Sequence, residues 1–204
     1  MRHHPVPQGS AEWFKVRAGI PTASEFDKIL TPKTLKLSAS AEPYMHRLLA
    51  EWMTGEVFEQ DTTVWMTQGV TMEEMAAEYY ELTTGREVKE CGLCTTDDGK
   101  VGASPDRFVG DVGLLEIKYP MASTHVGYLL KGDVPSEYIL QVQGQLYVTQ
   151  KPWLDFLSYH VGLPSLLVRV LPDPIYQDAL ANALSEFNAR MEHYKVRLQA
   201  MREG

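Results

Sequence analysis

Asp106, Glu116 and Lys118 are the residues whose types and spacing carry the most chemistry in this chain. They lie between Gly102 and Pro120, in the stretch GASPDRFVGDVGLLEIKYP. The run from Leu114 to Tyr119 is too apolar and β-rich for a loop. On a strand, alternation points Leu115, Ile117 and Tyr119 one way and Glu116 and Lys118 the other. The run from Lys100 to Val109 is also strand-like, and Gly110-Asp111-Val112-Gly113 has the chemistry of a hairpin connection. Closing that hairpin brings Asp106 beside Glu116 on one face.

Two carboxylates and a lysine on one face of an apolar hairpin are costly to bury unless paired or bound to a cation. An isolated E-x-K on a strand is most simply a salt bridge on a solvated face. Two features shift that reading: Ser104-Pro105-Asp106 stands at hairpin distance, and Leu114-Leu115 makes the second strand look central. Mg²⁺ is hard and octahedral, and is usually held by one or two carboxylates plus phosphate oxygens of a substrate. A lysine beside it orients or deprotonates a water and offsets charge developing on the phosphorus. The set describes a metal-dependent phosphodiesterase.

Asp106 followed by Glu116-Ile117-Lys118 resembles the PD-(D/E)xK nuclease signature. Gly69-Val70-Thr71-Met72-Glu73 resembles the G-x-x-x-E carboxylate motif of the lambda exonuclease group, the YqaJ-like phage alkaline exonucleases. Tyr138-Ile139-Leu140-Gln141-Val142-Gln143 resembles that group's Y-x-x-Q-V-Q helix. The resemblance keeps its order and runs from Trp13 to Thr149. It implies an α/β fold with a restriction-endonuclease-like core, a central mixed β-sheet flanked by helices. It implies a Mg²⁺-dependent exonuclease, with Mn²⁺ able to substitute, degrading one strand of linear double-stranded DNA from its 5′ end. The 3′ overhang left behind would serve phage recombination by strand annealing.

Residue by residue, the resemblance makes Asp106, Glu116 and Glu73 metal ligands. Lys118 activates or positions water, Gln141 orients it, and Tyr138 lines the site. Arg17 and Ser24, seven positions apart, match the pair that grips a 5′-phosphate. Met66 falls where the group places an apolar wedge. The implied partners are a phage single-strand annealing protein and two further copies of the chain in a toroidal homotrimer. The implied location is the cytoplasm of a bacterial host.

The elements that position these residues follow in order. Residues 1–9 read as a mobile lead-in. Ala11 to Arg17 reads as a short helix stopped at Gly19. Thr22-Ala23-Ser24-Glu25 reads as a capping box opening a second helix through Phe26, Ile29 and Leu30, which would place a helix N-terminus near Arg17. Thr31 to Ser38 is a polar loop, and a helix spans about Pro43 to Met53. Thr54 to Thr63 is an acidic loop, and a further helix runs from about Val64 or Gly69 to Thr84. On it Met72, Met75, Ala76 and Tyr79 suit a buried stripe, while Glu73, Glu74, Glu78 and Glu81 face solvent by default. Strands are expected over Glu87 to Thr95, Lys100 to Val109 and Gly113 to Tyr119. A short helix over Ala122 to Leu130 carries His125 as a packing or surface residue. Pro135 opens a helix through about Val148, with Tyr138, Gln141 and Gln145 on one face. Trp153 to Val161 and Ser165 to Leu171 extend the sheet, and 172–204 forms one long amphipathic helix.

The 204 residues, 44% of them hydrophobic, suffice for one substantial core, and the expectation is a single nuclease domain over 1–204. No apolar run approaches the roughly 20 residues of a membrane span. Cys91 and Cys94 form a lone C-x-x-C without the further ligands a structural zinc needs. On a strand they would face opposite sides, and they read as reduced thiols. A net charge of −8 argues against a protein that coats DNA by bulk electrostatics, but not against a nuclease with a locally basic channel. The alternatives are a PD-(D/E)xK endonuclease or repair nuclease, and a catalytically dead DNA-end-binding protein. The iron–sulfur branch of the repair nucleases needs four cysteines and is excluded by two.

Overall fold

The computed structural model describes residues 1–57 and 64–203, the side chains of residues 64–71 excepted. Met66 and most of the acidic stretch expected over Thr54 to Thr63 therefore lie outside the described residues. The elements run β1 Arg2–His4, α1 Ala11–Arg17, a 3-10 helix Ala23–Lys28, α2 Ala41–Thr54 and α3 Val64–Thr84. They continue with β2 Val88–Glu90, β3 Leu93–Thr95, β4 Gly102–Ala103, β5 Arg107–Val109 and β6 Gly113–Lys118. Then come α4 Ala122–Lys131, α5 Ile139–Thr149, β7 Trp153–Ser158, β8 Leu166–Val170 and α6 Pro174–Glu203.

A mixed sheet ordered β2-β5-β6-β7-β8 forms the centre. Its one parallel pair, β6 with β7, is joined through α4 and α5, and its other pairs are antiparallel. The alternation along β6 has the expected phase. Leu115 and Ile117 pack with Ala76, Ala77 and Tyr80 of α3. Leu114 packs on the other face with Val142 and Leu146 of α5. Glu116 and Lys118 share the α5 face. The sheet is thus clamped between α3 and α5, and α6 lays Leu180, Leu184, Phe187 and Met191 on a second core with α2 and the 3-10 helix.

Several local expectations give way to tertiary structure. Residues 1–9 are not merely a lead-in, since β1 pairs antiparallel with β3 and the His3 imidazole bonds the Cys91 carbonyl at 2.6 Å. Each of the two long strands expected over Glu87–Thr95 and Lys100–Val109 is cut in two. Gly92, at φ 67, breaks the first where the His4 carbonyl crowds it, leaving no room for a Cβ. Pro105, with no N–H for a ladder, breaks the second. The pieces join different sheets, β1-β3-β4 and the central one. The turn at Gly92 also brings Cys91 and Cys94 to the same side, both buried with sulfurs 3.6 Å apart, rather than to opposite faces.

The expected capping box does not form. Glu25 pairs with Lys28 and Arg47 instead of reaching back to Thr22, and the segment closes as a six-residue 3-10 helix. The buried stripe of α3 is Ala76, Ala77 and Tyr80, one step round the helix from the expected one, and Met75 is exposed. α5 begins at Ile139 because Tyr138 serves as its N-cap. Gly144 lets α5 press against the 3-10 helix, where a Cβ would run into the Phe26 ring. That contact holds the two walls of the candidate site together.

Candidate active site

The floor of the site is made by the break at Pro105. The register pairs Arg107 with Leu115, so Asp106 stands opposite Glu116 just before the start of β5. There the Ile117 N–H donates to Asp106 Oδ2 at 2.6 Å. Glu116 is 1% exposed. Its Oε1 accepts from Lys118 Nζ at 2.5 Å and from Gln141 Nε2 at 2.6 Å. Its Oε2 accepts from Gln145 Nε2 at 2.6 Å. Gln141 and Gln145 sit one helical turn apart on α5, so the sheet supplies the carboxylates and the helix supplies the amides that hold one of them.

The charges here do not cancel. Burial, then the neighbouring Glu116 charge, push the Asp106 carboxyl well above its usual range, with Lys118 and the Ile117 N–H offsetting only part. Burial pulls the Lys118 ammonium down, but Glu116 and Asp106 outweigh it and hold Lys118 above the ordinary lysine range. Two carboxylates against one ammonium leave an excess of negative charge in a buried place. That excess, with an amide oxygen on Gln145 that has no hydrogen-bond partner, fits a divalent cation and its waters.

The opposite wall comes from α1 and the segment after it. The Arg17 guanidinium lies over the Trp13 ring at 4.9 Å and donates from Nη2 to Thr22 Oγ1 at 3.2 Å. Ser24 Oγ is 3.4 Å from the same Thr22 oxygen. Trp13 Nε1 donates to Ser104 Oγ at 3.0 Å, tying this wall to the Asp106 loop. Between the walls is a cleft of about 250 Å³. Arg17, Ser24, Asp106, Glu116, Lys118 and Gln141 all line it.

Two expected site residues stand apart from that lining. The Tyr138 ring packs behind Lys118, its centroid 5.0 Å from Nζ. Glu73 is turned to Arg107, whose Nη1 it accepts at 2.6 Å while Nη2 serves Glu74 at the same distance. Burial pushes the Glu73 carboxyl up although Arg107 opposes it. Among the described residues no group of three or more His, Cys, Asp or Glu side chains is arranged to hold a metal ion; the carboxylates that line the cleft are those of Asp106 and Glu116. His125 is a packing residue: fully buried, it bonds Ser158 Oγ at 2.7 Å and the Pro164 carbonyl at 2.8 Å.

Sequence reasoning gave Trp13, Thr22 and Gln145 no role at the site. Gln145 carried a signal, because helical spacing puts it on the Gln141 face. Trp13 carried one too, standing four residues before Arg17 on the expected helix, whereas Thr22 carried none, since only the folded chain brings it to Arg17.

This fold is that of the lambda exonuclease group. The chain belongs to the family of the YqaJ-like viral recombinase domain, whose pattern matches residues 12–152. Among solved structures it is similar to the alkaline exonuclease of Laribacter hongkongensis, solved alone and in complex with dAMP. That likeness has a TM-score of 0.84 at 33% identity and covers 95% of this chain and 98% of the other. A phage-related exonuclease of Haemophilus somnus shares the fold at a TM-score of 0.66, 15% identity, and 89% and 96% coverage. An uncharacterised protein of Acanthamoeba polyphaga mimivirus is 32% identical over 170 residues, 74% of this chain and 29% of that protein. The chain thus spans under a third of the length of this curated relative. Nucleases of this family are in general metal-dependent. No helix among the described residues is long and apolar enough to cross a membrane.

Proposed function

We propose that this chain is a Mg²⁺-dependent exodeoxyribonuclease that degrades one strand of linear duplex DNA from a 5′ end and leaves a 3′ single strand for recombination. The observation that carries the reading is the uncancelled Asp106–Glu116–Lys118 floor facing the Arg17–Ser24 wall across one cleft. The likeness to an alkaline exonuclease along nearly the whole chain supports it. Asp106 and Glu116 would hold the ion, with Glu73 adjoining. When bound, it supplies charge neutralisation at the scissile phosphate and a more acidic water.

The chain's own residues do the rest. Lys118, bonded to Glu116 at the edge of the floor, activates or positions the water and offsets charge developing at the phosphate. Gln141 fixes Glu116 and faces the water. Arg17 and Ser24 take a terminal phosphate, the guanidinium held flat by Trp13. The resemblance further supports a homotrimer, a phage single-strand annealing protein as partner, and work in the cytoplasm of a bacterial host.

Linear duplex DNA with a 5′-phosphate or a 5′-hydroxyl on one strand tests this, with Mg²⁺, Mn²⁺ or EDTA. Mononucleotides should leave the phosphorylated strand, and EDTA or Lys118→Ala should abolish their release. Arg17→Ala should lose the phosphate preference. Cutting of circular DNA would favour an endonuclease, and DNA binding without cleavage in any divalent metal would favour an inactive end-binding protein.

A further inference from the structure

Two glutamines on α5, two residues apart, are satisfied to different degrees. Gln143 is closed at both ends. Its Nε2 donates to the Leu171 carbonyl at 2.9 Å, and its Oε1 accepts from Asp173 N at 3.0 Å and Gln177 Nε2 at 2.9 Å. Gln145 is equally buried, 1% exposed, but only its Nε2 is used, on Glu116 Oε2. Its Oε1 has no hydrogen-bond partner, and the residue lines the cleft between Asp106, Glu116 and Lys118. The amide cannot be turned round to cure this. A flip would set Oε1 against the Glu116 carboxylate at 2.6 Å, two acceptors facing each other. A buried acceptor left without a donor has lost its hydrogen bonds to water and gained none in return. The hydroxyls and N–H groups that line the same cleft leave it unpartnered, so a water or other ligand that brings its own O–H or N–H would relieve it.

We infer that Gln145 Oε1 accepts a hydrogen bond from the water that attacks the phosphodiester, while its Nε2 holds Glu116. This rests on the nuclease reading above. Gln141 and Gln145 then divide the work: both brace Glu116, and Gln145 also aims a lone pair at the nucleophile. One O–H of the water points to the amide oxygen, so an oxygen lone pair is presented to phosphorus, and the proton released on attack leaves to solvent or a phosphate oxygen. Gln145 transfers no proton and only fixes direction.

Two substitutions separate the arms of the amide. Gln145→Met removes both, whereas Gln145→Lys keeps a donor toward Glu116 and removes the acceptor. Each is compared with the unsubstituted chain on 5′-phosphorylated linear duplex with Mg²⁺, for kcat and KM. Affinity for the same DNA in EDTA and the unfolding temperature complete the comparison. Both variants should lose about 10–100-fold in kcat, with unfolding temperatures close to that of the parent; Gln145→Met should also keep KM and EDTA affinity, while the added ammonium of Gln145→Lys should tighten DNA binding in EDTA without restoring kcat. Parental kcat in Gln145→Lys would show that only the donor matters and would overturn the inference. So would a loss confined to KM, or one accompanied by a lowered unfolding temperature in both variants. An unsubstituted chain that cleaves no DNA would overturn the nuclease reading itself, and this inference with it.

Discussion

Neighbouring strands of the central sheet each bury an acid, and the two are treated in opposite ways. Asp155 on β7 is 2% exposed and fully answered. Arg169 grips both of its oxygens at 2.8 Å, the Tyr80 hydroxyl donates at 2.7 Å, and Arg86 stands 3.7 Å away. Burial and Asp155 push the Tyr80 phenol up to about 12, so it remains a donor at any ordinary pH. Glu116 on β6 is equally buried, but its surroundings add a second carboxylate and only one ammonium. The first cluster is a structural tie with its charges closed. The second keeps an uncancelled charge, and that is where a cation and a phosphate have something to do.

The comparison is broken most directly by removing charge from the open cluster. Asp106→Asn and Lys118→Met should each reduce nuclease activity by about a thousandfold. Asp106→Asn should fold at least as well as the parent, because it relieves repulsion with Glu116. A steady-state DNA digestion and a thermal melt on the same preparations check this. Unchanged activity in either variant would move the chemistry elsewhere.

The closed cluster should answer in stability instead. Asp155→Ala strands the buried Tyr80 hydroxyl, while Arg169, 41% exposed, can rehydrate. The expected cost is therefore about 1–3 kcal/mol, set by the orphaned hydroxyl more than by the ion pair. Denaturant unfolding should show it, and activity per folded molecule should be retained.

A pH series sharpens the contrast. The folded-state carboxyl of Asp106 is raised above its ordinary 3.8. Between those two values the folded protein binds more protons than the unfolded chain, so stability falls as pH rises through that window. In EDTA the unfolding temperature should therefore decline toward neutral pH. Divalent metal should cancel the decline, and Asp106→Asn should lack it. A parent whose stability rises over the same range would contradict the assignment.

How much of this was legible in the sequence depended on what each residue answers to. The face assignment along β6 was readable, because alternation in a half-polar strand is a local rule, and the hairpin that sets Asp106 opposite Glu116 followed from its turn residues. The breaks at Gly92 and Pro105 were visible as residues, but which sheet each fragment joins is a tertiary outcome. The phase of α3 was misread for a physical reason. Its buried face is built on Ala76 and Ala77, whose small side chains let the helix approach the sheet, whereas Met72 and Met75 looked more hydrophobic. With the phase corrected, Glu73 falls three, four and seven residues before Ala76, Ala77 and Tyr80, on the inward face. Spacing alone would then have singled it out from Glu74, Glu78 and Glu81. Arg107, which bonds that carboxylate, gave no signal, because a lone strand arginine reads as surface.

Arg107 also sets up the finest test of the contrast between closed and open charge. It holds Glu73 and Glu74 at equal distance, 2.6 Å each, but their side chains are 32% and 57% exposed. If both pairs were only ties, each acid would be worth no more than an exposed salt bridge, about 0–1 kcal/mol. If Glu73 also serves the metal floor, the two should separate in activity and not in stability. Glu73→Gln should then lose about tenfold in nuclease rate, or ~1.4 kcal/mol, while Glu74→Ala should stay within about twofold. Thermal melts of the two should differ little, since Arg107 keeps one carboxylate in either variant. Equal rates for both would reduce Glu73 to a structural partner of Arg107 and leave Asp106 and Glu116 alone on the floor. A Glu74→Ala variant as impaired as Glu73→Gln would instead show that the reaction depends on the clamp as a whole, with Arg107 fixing the position of α3 against β5.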